Sequence, residues 1–355
     1  MTFSTHVALL AAIVSGALSS CSKPPADPLC SYETLPATTD VAAGEGAIQI
    51  IATTDEYSYV YDSSGKQVKS GSNNRALNLK PGQYNVKLNN SAHPVYVQSK
   101  MLTRCTASAL RVSGDTDEYY YVFDSLKQQL ANHKLGGPLA FFPGNYLVGV
   151  NNASASASLS PGSVTELKAG LVNVRGTTDE YYYVFDGAGA QLANNKLSRP
   201  LSFLAADLVV KVNGTSAPLK ITAGGVANVL TGALLVGGAT DEYYYVFDSL
   251  GNQLANNKLG RALSFFPGNY TVKVNNSPNP VSVEAGRTNE YQTGTLTVQR
   301  SGDDYYYVSD SNGNQIANNK LNRPLALLAG KYSVKVGNDA RPVAITAGQT
   351  TVVNW

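Results

Sequence analysis

Residues 241–248 read DEYYYVFD, and from Tyr243 to Asp248 the run is aromatic and β-branched, the composition that fits a pleated strand. Alternation along such a strand puts Tyr243, Tyr245 and Phe247 on one face and Tyr244 and Val246 on the other. The same string, or a close variant, begins at Asp55, Asp117, Asp179, Asp241 and Asp303, so it recurs every 62 residues without drift. Around it, Ala233–Val236 is a short β-type run, Gln253–Leu259 and Arg261–Phe265 are extended segments flanking a bend, and a PGN turn precedes the alternating run from Tyr270. A second alternating run starts at Pro280 and closes on Gly286. No helical period persists for ten positions. The expected fold class is all-β, with five tandem small β-sandwich modules of 62 residues forming an extended array, at 46–107, 108–169, 170–231, 232–293 and 294–355. Units of roughly 60 residues are marginal alone. Fixed length without insertions also predicts constrained junctions, a rod or arc rather than beads on a flexible string.

The order G-x-L-x-V, V-x-D, PG-x-Y-x-V-x-V and P-V-x-V-x-AG resembles PEGA-type and related prealbumin-like modules of bacterial surface proteins. Here it is carried by Gly294, Leu296 and Val298; by Val246 and Asp248; by Pro267, Gly268, Tyr270, Val272 and Val274; and by Val281, Val283, Ala285 and Gly286. The signature tetrapeptide of the family is absent. The resemblance implies an extracytoplasmic, non-catalytic module used for binding, spacing or anchoring.

The remaining 45 residues read as an address and a tether. Val7–Ala17 is apolar but far shorter than the ~20 residues that span a bilayer. Leu18-Ser19-Ser20-Cys21 follows it and resembles the lipobox of bacterial lipoproteins, although the preceding MTFSTH has no Lys or Arg. The resemblance implies a signal peptide at 1–20, acylation of Cys21 and membrane lipid as a partner. Ser22 after the Cys implies outer-membrane sorting. The alternative is an ordinary cleaved secretory signal. Ser22–Pro28 is Pro-rich and should stay extended, and 21–45 is the tether. With Cys21 acylated, Cys30 and Cys105 remain, as one disulfide or as two unpaired thiols.

The tyrosine strand holds 15 of the 22 tyrosines. Unit one has Ser58 where the others have a tyrosine, which favours a wetter second face and points Tyr120, Tyr182, Tyr244 and Tyr306 outward. Four such rings could stack on sugars of cell-wall glycan; the plain alternative is packing on a neighbouring strand or unit. Asp117, Glu118 and Asp124 suggest Ca²⁺, but seven strand residues at ~3.3 Å each separate Asp117 from Asp124, so turn-capping carboxylates are the simpler reading. Lys196, Lys258 and Lys320, with Arg199, Arg261 and Arg323, form either a basic stripe or pairs with Asp179, Asp241 and Asp303. Asn194, Asn195, Asn256, Asn257, Asn318 and Asn319 are expected to take left-handed turn geometry. His133 stands at one of these positions and has no catalytic reading. Tyr84, Tyr146, Tyr270 and Tyr332 follow a tight turn and read as buried corner residues. Unit three has Leu208 there, with Ala205-Ala206 at the turn, and is expected to turn differently and to be the least stable.

Three His, three Cys and one Trp in 355 residues cannot build a His- or Cys-based site once per unit. A net charge of +2 gives no general pull toward nucleic acid, and no phosphate loop, nucleophile elbow or metal-spaced His pair is present. The expected chain is a non-enzymatic, membrane-anchored structural or adhesive repeat lipoprotein, without cofactor or metal. Its alternative is a glycan- or peptidoglycan-binding lipoprotein, and another surface protein is also open as partner.

Overall fold

The computed structural model describes residues 26–36 and 41–355, all of it strand and turn; Cys21 and the signal segment lie outside the described residues. Unit one shows the plan. After β1 (Cys30–Thr34) come β2 (Gly46–Ile51), β3 (Tyr57–Tyr61), β4 (Gln67–Ser72), β5 (Ala76–Leu79), β6 (Gly82–Leu88), β7 (Ser91–Val97) and β8 (Met101–Thr106). One sheet runs β5-β2-β8 and the other β4-β3-β6-β7. β2 and β8, the first and last strands of the unit, lie side by side and parallel. The other four units repeat both sheets, including the parallel pairing of first and last strands. The chain is therefore all-β, a tandem array of small β-sandwiches.

Local chemistry fixes the hairpins. The loop between β6 and β7 is Asn89-Asn90, with φ of 45° and 61°, the both-positive pair of a type I′ turn that Asn tolerates. Asn151-Asn152, Asn213-Gly214 and Asn275-Asn276 repeat it. The asparagines expected to turn do not. Asn194, Asn195, Asn256, Asn257, Asn318 and Asn319 sit within strands, where Asn257 Oδ1 accepts from the Lys258 N–H at 2.9 Å. A polar side chain with no φ requirement can pair along a strand as readily as it bends one.

The junctions have no linkers. Thr288–Gln299 is a single twelve-residue strand that serves as last strand of unit four and first strand of unit five. Cores are shared as well. Phe142 of unit two joins the core of unit one, Leu204 that of unit two, Phe266 that of unit three and Leu328 that of unit four. The same position in unit one is the exposed Lys80.

Unit three does not turn differently. Its strand Ala206–Val212 matches Gly144–Val150 and Gly268–Val274 in length and pairing. The glycine of the other units is not there for its φ, because none of these positions is left-handed. In units four and five it clears the corner ring, since a Cβ on Gly268 or Gly330 would lie 3.3 or 3.1 Å from Tyr270 or Tyr332, whereas one on Gly144 would meet Tyr146 at an ordinary 3.6 Å. Leu208 removes the ring, so Ala206 fits.

Unit one is the polar exception. It has Ser58 for the buried tyrosine and Asn73 where the others have Leu135, Leu197, Leu259 and Leu321; both amide atoms of Asn73 are buried without a hydrogen-bond partner. It also holds the disulfide Cys30–Cys105, whose cysteines are 75 positions apart. Closing a loop of that size adds about 4 kcal/mol in the chain-entropy picture.

Candidate functional site

Tyr120, Tyr182, Tyr244 and Tyr306 do not face solvent; each is fully buried. They share their strand face with Val122, Val184, Val246 and Val308, also fully buried. Their hydroxyls donate inward, Tyr244 to the Arg261 carbonyl at 2.7 Å and Tyr120 to that of Gly137 at 2.8 Å. Burial, with a smaller contribution from a glutamate of the preceding unit, pushes all four phenols well above their ordinary range. Ser58 misled the sequence reading because its hydroxyl is buried and bonds the Gly71 carbonyl; the small residue marks a polar pair inside the unit, not a wet face.

The exposed aromatics are on the opposite face of the same strands. Tyr57, Tyr59, Tyr119, Tyr121, Tyr181, Tyr183, Tyr243, Tyr245, Tyr305 and Tyr307 are 37–56% exposed, two per unit. In unit four, Tyr245 is paired across the sheet with Lys273 on one side and Asn256 on the other. Lys273 Nζ lies 4.5 Å from the centre of the Phe247 ring, and Lys211 lies 4.4 Å from that of Phe185. Shallow depressions recur on this face. One is lined by Tyr245, Phe247, Lys273 and Asn276, and another by Tyr121, Phe123, Lys127 and Asn152. Lys196, Lys258 and Lys320 do not form a free stripe, since they meet Asp179, Asp241 and Asp303 at 2.8, 3.0 and 3.3 Å.

A second repeated constellation was only half visible in sequence. Glu180 of unit three accepts from Thr178 Oγ1 at 2.8 Å, from Asn213 Nδ2 at 2.6 Å and from the backbone N–H of Ser264 in unit four at 2.6 Å. Asn213 also donates to the Ser264 carbonyl at 3.0 Å. Thr178 and Ser264 join through their hydroxyls at 2.7 Å. Glu56 binds the Ala140 N–H at 2.5 Å, Glu118 that of Ser202 at 2.6 Å, and Glu242 that of Ala326 at 2.8 Å, each with its own Thr and Asn; Asn151 closes on Glu118 in the same way. Glu118 is thus a carboxylate capping backbone, but the backbone belongs to the next unit. Asp124 Oδ1 caps the Leu126 and Gln128 amides within its own turn, so the two carboxylates weighed for calcium have separate duties. Unit five has Gly302, Asp304 and Gly337 at the Thr, Glu and Asn positions. A signal was available in those three coincident changes.

At the N-terminal end, Cys30 pairs with Cys105 in the β1–β8 ladder. Asp27 Oδ2 meets His93 Nε2 at 2.8 Å, and the His93 ring lies 5.1 Å from that of Phe142 in unit two. Asp27, Cys30 and His93 form the one close trio of metal-type ligands among the described residues, and its sulfur is held in the disulfide.

No family model and no curated protein matches the sequence. Solved structures similar to it include the TIE protein of Bacillus anthracis, at 10% identity over 74% of this chain and 68% of that one, with a TM-score of 0.16. The major pilin subunit of Bacillus cereus matches at 10% identity over 70% and 98%, with a TM-score of 0.17. Two B repeat units of the collagen-binding protein of Staphylococcus aureus match at 8% over 70% and 98%, with a TM-score of 0.13. Scores this low carry no argument about function, and the β-sandwich assignment rests on the chain's own strand pairing.

Proposed function

We propose that this chain is a non-enzymatic, membrane-anchored protein of the cell envelope, a structural or adhesive array that carries tension and displays a tyrosine face. One observation carries the reading: in every unit the first and last strands are parallel neighbours. Pulling the ends of a unit apart then shears that ladder, loading its hydrogen bonds together instead of one at a time. Shared cores and the Glu-Asn staples continue the path across junctions. The lipobox supplies the anchor through Cys21, with 1–20 as signal peptide and 21–45 as tether, and Ser22 supports sorting to the outer membrane. The five-fold division at 46, 108, 170, 232 and 294 belongs to the same reading, as does the PEGA-like resemblance. The test is metabolic labelling with palmitate and membrane fractionation of the full chain beside Cys21→Ser; label and membrane retention that survive the change would sink the anchor.

A second reading draws on the exposed rings. Ten half-exposed tyrosines, lying beside lysines that stack on neighbouring rings, form a sequence-tolerant stacking surface for cell-wall glycan, and five weak copies on one chain gain avidity. Retention on insoluble cell-wall polysaccharide should fall when the exposed pairs become Ser.

A further inference from the structure

We infer that the Cys30–Cys105 disulfide is a load bypass that takes unit one out of the path of tension between the tether and the rest of the array. Cys30 is the first residue of β1, and Cys105 is the penultimate residue of β8, three residues before unit two opens at Ser108. Strands β2 to β7 lie wholly inside the loop the bridge closes. Tension entering at residue 29 crosses the sulfur bridge, where the two Cα atoms are 4.0 Å apart, and continues into unit two. No strand of unit one need slide for that force to pass.

Three further observations agree on this placement. Residues 27–30 lie beside the junction of units one and two, since Asp27 is held by His93, His93 lies against Phe142, and the Thr106 N–H donates to the Leu29 carbonyl at 2.9 Å. Without the bridge, β1 would be the weak point. It is antiparallel to β8 with Cys30 opposite Cys105 at the loaded end, so tension would unzip the pairs singly from that end. The module protected is also the one whose core carries Ser58 for a buried tyrosine and the Asn73 amide without a hydrogen-bond partner. A unit with polar side chains in its core is thus excused from bearing tension. The source of tension comes from the anchored reading above, whereas the load path depends only on the bridge.

The experiment is single-molecule stretching of the chain from Ser22 onward, held by a handle at each end. Oxidised, it should give four unit-sized unfolding events. With reductant, or as Cys30→Ala, a fifth should appear at lower force, lengthening the chain by about 270 Å, the reach of 75 residues at up to ~3.6 Å each. Adding reductant to a molecule already held at low force covers the case in which Cys30→Ala fails to fold, because unit one then folded with its bridge in place. Five events in the oxidised chain would overturn the inference, as would four in the chain reduced while held. Loss of acylation at Cys21 would overturn the anchor and leave the bypass standing.

Discussion

Glu180→Ala is the sharpest perturbation of the array. The carboxylate accepts three hydrogen bonds, at 2.8, 2.6 and 2.6 Å, and one donor is the main-chain N–H of Ser264, a fully buried residue of the next unit. Truncation orphans that N–H, which costs roughly 1–3 kcal/mol, and removes charge-assisted bonds of about 1.5–3 kcal/mol each, partly offset where Thr178 and Asn213 find each other or water. A net loss of about 3–5 kcal/mol is expected, divided between unit three, which holds Thr178 and Asn213, and its coupling to unit four through Ser264. Amide exchange at Ser264 should accelerate on the order of 10²–10³-fold, taking tenfold per 1.4 kcal/mol. In calorimetry a single cooperative transition should broaden or split, because tandem arrays gain cooperativity from nearest-neighbour interfaces. Asp304→Ala is the matched control, since among the described residues its side chain makes no hydrogen bond across a junction, and it should cost under ~0.5 kcal/mol. Equal effects of the two changes, or unchanged protection at Ser264 in Glu180→Ala, would refute the staple.

Tyr244→Phe should cost about 1 kcal/mol by freeing the Arg261 carbonyl, and Tyr244→Ser about 3–5 kcal/mol by opening a cavity, read by chemical denaturation. The buried phenols also set a pH dependence: folded Tyr120, Tyr182, Tyr244 and Tyr306 hold their protons more tightly than the unfolded chain does. Their contribution is therefore intact below pH ~10 and falls as pH rises above it. Ultraviolet titration should show these four ionising only on unfolding; their ionisation in the folded chain would contradict their burial. Leu208→Tyr alone should destabilise unit three, and adding Ala206→Gly should recover it, with a coupling of about 0.5–3 kcal/mol in a double-mutant cycle. Serine at Tyr119, Tyr121, Tyr181, Tyr183, Tyr243 and Tyr245 should lower retention on cell-wall polysaccharide at unchanged melting temperature; equal retention would remove the glycan reading.

The repeat and the all-β class were legible because DEYYYVFD recurs at one spacing and alternates at period two. The orientation of that strand was misread at Ser58. Val246 held the better clue, since a valine sharing a face with Tyr244 points to the core. The staple was harder to see, because Glu180 finds Asn213 at a separation of 33 residues and Ser264 at 84, distances that no local pattern encodes. What sequence could offer was the joint loss of Thr, Glu and Asn at Gly302, Asp304 and Gly337, with Lys80 answering it at the other end. The unit-three turn failed for a related reason: Gly and Tyr were read as separate requirements, whereas the ring and the missing Cβ form one steric pair.

The staple also makes the array's length a matter of copy number. Each joint presents the same carboxylate, amide and main-chain N–H, while unit one has Lys80, and unit five Gly302, Asp304 and Gly337, at the corresponding positions. Removing or duplicating an interior unit in frame would bring a Glu of one module to the waiting N–H of another and rebuild an existing joint. Reach could thus be set in steps of one unit, by recombination between the repeated segments, without inventing an interface.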